Sequence, residues 1–270
     1  MSDAPVELAV IQVGSMDSPR LRVDVAGSTS SASHKLLYQV LIRVLGLDID
    51  LAPFYGIAAQ DSRLNDLAVR FRGMRPPRFP TIFEALVNGV ACQKFGLEAG
   101  LTLLNRVVAT YGRAPESRLG AGKAFPQPCG LARATVESLR TLGFSRSKGA
   151  AIIAIACAVE RQDIGMDHFN LDDEALQARL DQLRGVGRWT AEYVLLRGYG
   201  RLNVFPGDGI GARNGLQRWL ALKESLDYEG IKKILRRYQP YAGLVYLHLL
   251  LKYLDEKEMI RKPSFHKTGR

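Results

Sequence analysis

The sequence predicts a mainly α-helical chain with a small N-terminal α+β part, expected over residues 1–75, ahead of a helical body over 76–270. Three observations predict it. Only the first 25 residues alternate apolar and polar positions, the period of a half-buried strand. From about Asp50 onward every strong hydrophobic periodicity is helical. The breaks in that periodicity fall at Gly, Pro or Asn, where helices end.

Residues 6–13 and 21–25 carry β-branched side chains in alternation, with Gly14, Asp17, Ser18 and Pro19 between them, which predicts a hairpin or two separate strands. A Gly/Ser/Thr/Ala loop at 27–33 leads to apolar residues at helical spacing over 35–45. Residues 73–80, with Pro76, Pro77 and Pro80 among two arginines, are the expected domain boundary. Beyond it, helices are predicted over 81–93, 97–111, 132–142, 145–161, 172–183, 188–199, 210–222, 228–237 and 241–255. The Gly- and Pro-rich stretch 112–130 predicts an irregular connection. The basic, poorly patterned tail 257–270 is expected to fray.

The 270 residues are 47% hydrophobic, enough for a packed core. Cys92, Cys129 and Cys157 are odd in number and far apart, so they form neither a disulfide framework nor a C-x-x-C metal site. They are expected to be small buried apolar residues in a reducing compartment, with no metal and no cofactor bound. No signal peptide pattern is present, and no apolar run reaches the roughly 20 residues that span a bilayer. An intracellular protein away from membranes is expected, cytoplasmic and nucleoid-associated in a bacterial cell. A net charge of +10 favours a polyanionic partner without identifying it.

The chemistry begins between the helices expected at 172–183 and 188–199, where the chain reads Leu183-Arg184-Gly185-Val186-Gly187-Arg188-Trp189-Thr190-Ala191. The two glycines permit a tight turn with positive φ at either position, and Val186 between them can pin the helices together. The turn delivers N–H groups at a helix start, where the macrodipole favours an anion. An αα-hairpin whose glycines only cap a helix has the same signature. Arg184, Arg188, Arg197, Arg201, Arg213 and Arg218, against Glu192 and Asp208, tip the balance toward a phosphate seat.

The run 183–191, followed by Asp208 within Val204-Phe205-Pro206-Gly207-Asp208, resembles the helix-hairpin-helix (Gly/Pro-Asp) DNA glycosylases. Within them it is similar above all to the bacterial 3-methyladenine DNA glycosylase II subfamily, through Gly187-Arg188-Trp189-Thr190-Ala191 and Leu196-Arg197-Gly198. The similarity extends over about 21–253, including Arg78-Phe79-Pro80, Gln93 and Gln239-Pro240-Tyr241. It implies the helix-hairpin-helix glycosylase fold, with the hairpin at 172–199. It also implies a monomer acting on damaged double-stranded DNA in base excision repair.

The resemblance makes Asp208 the catalytic acid, and the chemistry suits a carboxylate. Loss of a base from deoxyribose gives the sugar oxocarbenium character, which a shielded carboxylate stabilises while aligning the attacking water. The alternative for Asp208 is an N-cap of the following helix, a role compatible with catalysis. The resemblance further implies a pocket of Trp189, Tyr193 and Tyr241 for a flipped, cationic alkylated base. It implies DNA contacts from Gln93, Lys94, Gly185, Val186, Gly187, Arg188 and Thr190.

Strand-cutting relatives have a lysine where this chain has Trp189, so a monofunctional enzyme that stops at the abasic site is expected. The iron-sulfur cysteines of the endonuclease III type are not found after Cys157. Two departures stand out: Lys94 occupies the position of an apolar wedge, and the N-terminal part is short for the subfamily. An oxidised-guanine glycosylase on the same scaffold and a non-catalytic helix-hairpin-helix DNA-binding protein are the alternative functions.

Overall fold

The computed structural model describes residues 5–14, 18–26, 31–94, 96–115 and 122–260. Strands β1 (Leu8–Gly14) and β2 (Pro19–Val25) pair antiparallel, with Leu8 opposite Val25 and Gly14 opposite Pro19. Helices follow in the order α1 (Ser31–Leu45), α2 (Ala52–Ala58), α3 (Ser62–Arg70), α4 (Ile82–Cys92), α5 (Leu97–Tyr111), α6 (Pro128–Ala132) and α7 (Val136–Thr141). Then come α8 (Arg146–Glu160), α9 (Asp173–Asp181), α10 (Arg188–Val194), α11 (Ile210–Leu220), α12 (Tyr228–Leu235) and α13 (Ala242–Glu256). The expected mainly α chain with a small N-terminal sheet is what forms.

The chain gathers into two compact units, each discontinuous in sequence: residues 1–44 with 79–186, and residues 45–78 with 187–270. In the first, α8 packs against α4, α6 and α7, and α4 also packs against α5. Its core includes Leu86, Val90, Val107, Leu139, Ile152, Ile155 and Leu180, all essentially without exposure. Gly100 on α5 leaves no room for a side chain against the Cys92 sulfur on α4, so the two helices meet closely. The three cysteines are free and only half-buried, so they are less enclosed than expected.

The second unit buries Phe54, Leu64, Leu216, Ile231, Tyr238 and Leu244 around α13, which packs against α3 and α11. Asp61 starts α3 by accepting the Arg63 and Leu64 amides at 3.0 and 3.2 Å, and it takes the Tyr238 hydroxyl at 2.7 Å. One side chain thus satisfies two orphan amides of a helix start and a buried phenol.

The helix expected over 132–142 is interrupted. Thr135 leaves helical geometry and forms a capping box with Ser138, so α7 begins afresh there. The connection expected at 112–130 carries one isolated bridge, Arg113 to Ala124, and ends in α6, while 116–121 lie outside the described residues. Of the tail expected to fray, 261–270 also lie outside them. Among the described residues, no helix is long and apolar enough to cross a membrane.

Candidate active site

The hairpin turn is built by two glycines in different states. Gly185 has φ +79°, and a Cβ there would come within 2.4 Å of the Ala151 Cβ on α8. Both backbone and packing therefore demand glycine at 185. Gly187 has φ −104° with nothing within 4 Å of a would-be Cβ, so positive φ occurs at only one of the two positions. Val186 is buried at 7% exposure, and its N–H closes the turn onto the Leu183 carbonyl at 3.1 Å.

Within the first unit, α4 ends beside this turn. The Gln93 side-chain amide donates to the Gly185 carbonyl at 2.8 Å. The Lys148 ammonium donates to the carbonyls of Ala91 and Gln93 at 2.9 and 2.7 Å, capping the helix end. Burial lowers the Lys148 pKa, opposed by Cys92 and assisted by the charge of Lys94. Lys94 itself is exposed, with a left-handed φ of 57°.

Within the second unit, α10 begins at Gly187 without a side-chain cap and runs on into a π turn, Leu195–Tyr199. Arg188 reaches Asp208 at 3.6 Å, and its guanidinium lies 4.4 Å from the Tyr228 ring centre. Trp189 stacks on Tyr193 with ring centres 5.4 Å apart and planes 22° from parallel. Trp189 is half-buried, whereas Tyr193 keeps only 9% exposure beneath it. Thr190 is 1% exposed, so its side chain faces the interior. Tyr241 packs edge-on to Phe54 at 6.2 Å and belongs to the rim of the core.

Asp208 lies one residue ahead of Gly209, the N-cap of α11, and no side chain caps that helix. Its carboxylate is therefore not engaged as the expected alternative would have it. The side chain is 33% exposed. The glycines flanking it admit other parts of the protein. A Cβ on Gly207 would touch Tyr228 and Ile231 at 3.4 Å, and one on Gly209 would strike the Trp189 indole nitrogen at 2.5 Å.

Two residues not anticipated from the sequence complete the site. Glu192, 6% exposed, accepts the Gly207 amide at 3.1 Å and a short hydrogen bond from the Tyr228 hydroxyl. Burial pushes its carboxyl up to about 7; the Tyr228 and Gly207 donors and Arg188 pull it down, and Asp208 adds to the rise. The sequence held one signal for it, an acid within the otherwise apolar run 191–196. The arginines divide as well: Arg197 donates to the Pro77 carbonyl at 2.7 Å and Arg213 to the Asp208 carbonyl at 3.5 Å, so both serve the fold.

A glycine turn opening onto a helix, with a carboxylate held beside that helix by its first arginine, defines the helix-hairpin-helix class with a following aspartate. Residues 87–240 match the HhH-GPD superfamily base excision DNA repair protein profile. The chain belongs to that superfamily. A DNA-3-methyladenine glycosylase of Bacillus subtilis (strain 168) is 32% identical over 166 residues, 61% of this chain and 55% of that protein. The chain thus spans little more than half the length of that relative. Among solved structures, a 3-methyladenine DNA glycosylase from Archaeoglobus fulgidus gives a TM-score of 0.80 at 25% identity, covering 94% of this chain and 84% of that one. The Schizosaccharomyces pombe 3-methyladenine DNA glycosylase in complex with abasic DNA gives 0.63 at 25% identity, covering 73% and 93%.

Proposed function

We propose that the protein is a monofunctional DNA glycosylase of base excision repair, an intracellular monomer that flips alkylated purines such as 3-methyladenine from duplex DNA and removes them hydrolytically. The observation that carries the reading is Asp208, one-third exposed, uncapped and ion-paired to the first residue of α10. The names of the relatives support the substrate class, and the abasic-DNA complex of one of them supports DNA as the partner.

In this reading the carboxylate faces C1′ of the flipped nucleotide and stabilises its positive charge as the bond to the base lengthens. It also aligns water for attack on the face of the developing cation opposite the departing base. Arg188 pairs with Asp208 at 3.6 Å, and its half-exposed guanidinium is shared with the DNA backbone. The indole of Trp189 offers a π-face to a cationic purine. Lys94, Gly185 and Gly187 are all exposed and approach phosphate, the glycines through their backbone. No lysine occupies position 189, so no Schiff base forms and the product is an intact strand with an abasic site.

The test is a panel of duplexes each carrying one defined lesion. Release of N3-methylated purine without strand cleavage, and without borohydride-trapped adduct, is expected. Preference for an oxidised guanine, or a trapped adduct, refutes the reading.

A further inference from the structure

Glu192 is the buried acid of the second unit that base removal does not itself require. It stands on α10, while its two partners come from elsewhere: Gly207 from the turn ahead of α11, and Tyr228 from the start of α12. Both carboxyl oxygens are engaged, Oε2 by the Gly207 amide at 3.1 Å and Oε1 by the Tyr228 hydroxyl. Gly207 immediately precedes Asp208, and it sits against the Tyr228 ring. The backbone carrying Asp208 is therefore anchored at the residue before it by one carboxyl. On the other side it is confined at Gly209 by Trp189.

A rigid anchor of this kind matters because electrostatic stabilisation falls steeply with misplacement. A shift of about 1 Å can cost on the order of 10²-fold in rate. Nothing in the fold of α10 calls for an acid at 192, where the neighbours Ala191, Tyr193 and Val194 are buried and apolar. Burying a carboxyl there is unfavourable unless its hydrogen bonds are made.

We propose that Glu192 is a positioning residue that holds the Gly207–Asp208 turn against the second helix of the hairpin and so fixes where the Asp208 carboxylate stands. It acts through Asp208 and does not touch the sugar or the base. This rests on Asp208 being the acid of base removal, as proposed above.

The experiment is a double-mutant cycle on the full chain, reading single-turnover release of an N3-methylated purine and duplex affinity separately. Glu192→Leu is expected to slow release by about 10²-fold while the duplex Kd moves by less than about threefold. Glu192→Gln, whose amide can still accept from Gly207, is expected to recover most of that loss. In an Asp208→Asn background, Glu192→Leu is expected to cost nothing further, because the group it positions is gone. Tyr228→Phe removes one donor without leaving a large cavity, and it provides the same cycle if Glu192→Leu fails to fold. Losses that multiply across Glu192 and Asp208, or a Glu192→Leu defect that lies in Kd rather than in rate, overturn the inference. If wild-type protein releases base and Asp208→Asn does not, such a result sinks the positioning role alone. If wild-type protein releases no base, the proposed function falls and this inference with it.

Discussion

Replacing Gly185 and Gly187 by alanine, one at a time, separates what the hairpin needs in order to fold from what it needs in order to bind. At 185 alanine must adopt φ +79°, a left-handed conformation that costs a residue with a Cβ about 1–2 kcal/mol. Its methyl group would also lie 2.4 Å from the Ala151 Cβ, a short side chain fixed to α8 that cannot swing aside. Relieving such overpacking costs a further 1–3 kcal/mol, roughly, so the sum is about 2–5 kcal/mol. That is a large part of a stability that is typically about 5–15 kcal/mol. With an m-value of about 2 kcal/mol/M, the urea midpoint falls by roughly 1–2.5 M. At 187 the backbone is extended and the Cβ position is open, so alanine loses only the N-cap advantage of glycine, about 0.5 kcal/mol. Urea unfolding of both variants, paired with duplex affinity over a salt series, is the assay. Gly185→Ala is expected to unfold early, and Gly187→Ala to fold normally and bind weakly. Equal midpoint shifts in the two variants, or an unshifted Gly185→Ala, refute the assignment of strain to position 185.

Lys148→Met removes two hydrogen bonds from an ammonium to the last carbonyls of α4, at a cost of about 1–3 kcal/mol; amide exchange at residues 91–94 should accelerate, and unchanged exchange would contradict the capping role. Trp189→Ala removes the proposed cation-π contact, about 0.5–2 kcal/mol, so kcat/KM should fall about 2- to 30-fold more for a cationic alkylated base than for a neutral lesion. An equal fall for both would remove Trp189 from lesion choice. Because the folded carboxyl of Glu192 lies near 7, above its ordinary value of 4.5, its contribution to stability is fully present below pH 4.5 and is lost as pH rises through about 7. Wild-type stability relative to Glu192→Gln should therefore decline over that interval by up to about 3 kcal/mol, at 1.36 kcal/mol per unit. A difference flat with pH argues against it.

The elements with strong periodicity were legible in the sequence. The helix at 97–111 was predicted with the bounds it has, and the strands and α4, α8, α12 and α13 within a residue or two at most ends. The short helices α2 and α3 went unassigned because seven and nine residues give little periodicity. Their limits are set by local chemistry, the Asp61 cap above all. The helix drawn through Thr135 shows the same failure in reverse, since a capping box outranks an unbroken apolar pattern. In the site, Gly185 was legible as a glycine of a tight turn, and Asp208 was picked out through the resemblance. The role of Glu192 was not, because it exists only once Gly207 and Tyr228, distant in sequence, are brought to it. The aromatics illustrate the limit: helical spacing put Trp189 and Tyr193 on adjacent turns, where they stack, while nothing in it revealed that Tyr241 packs on Phe54.

The central claim is that Asp208 stabilises the sugar cation that develops as the base departs. Single-turnover release of 3-methyladenine by Asp208→Asn, with duplex affinity measured on the same preparation, tests it most directly. The substitution keeps the shape and removes the charge, so release should slow by about 10²–10³-fold while binding is retained. Release at the wild-type rate with binding intact would contradict the account.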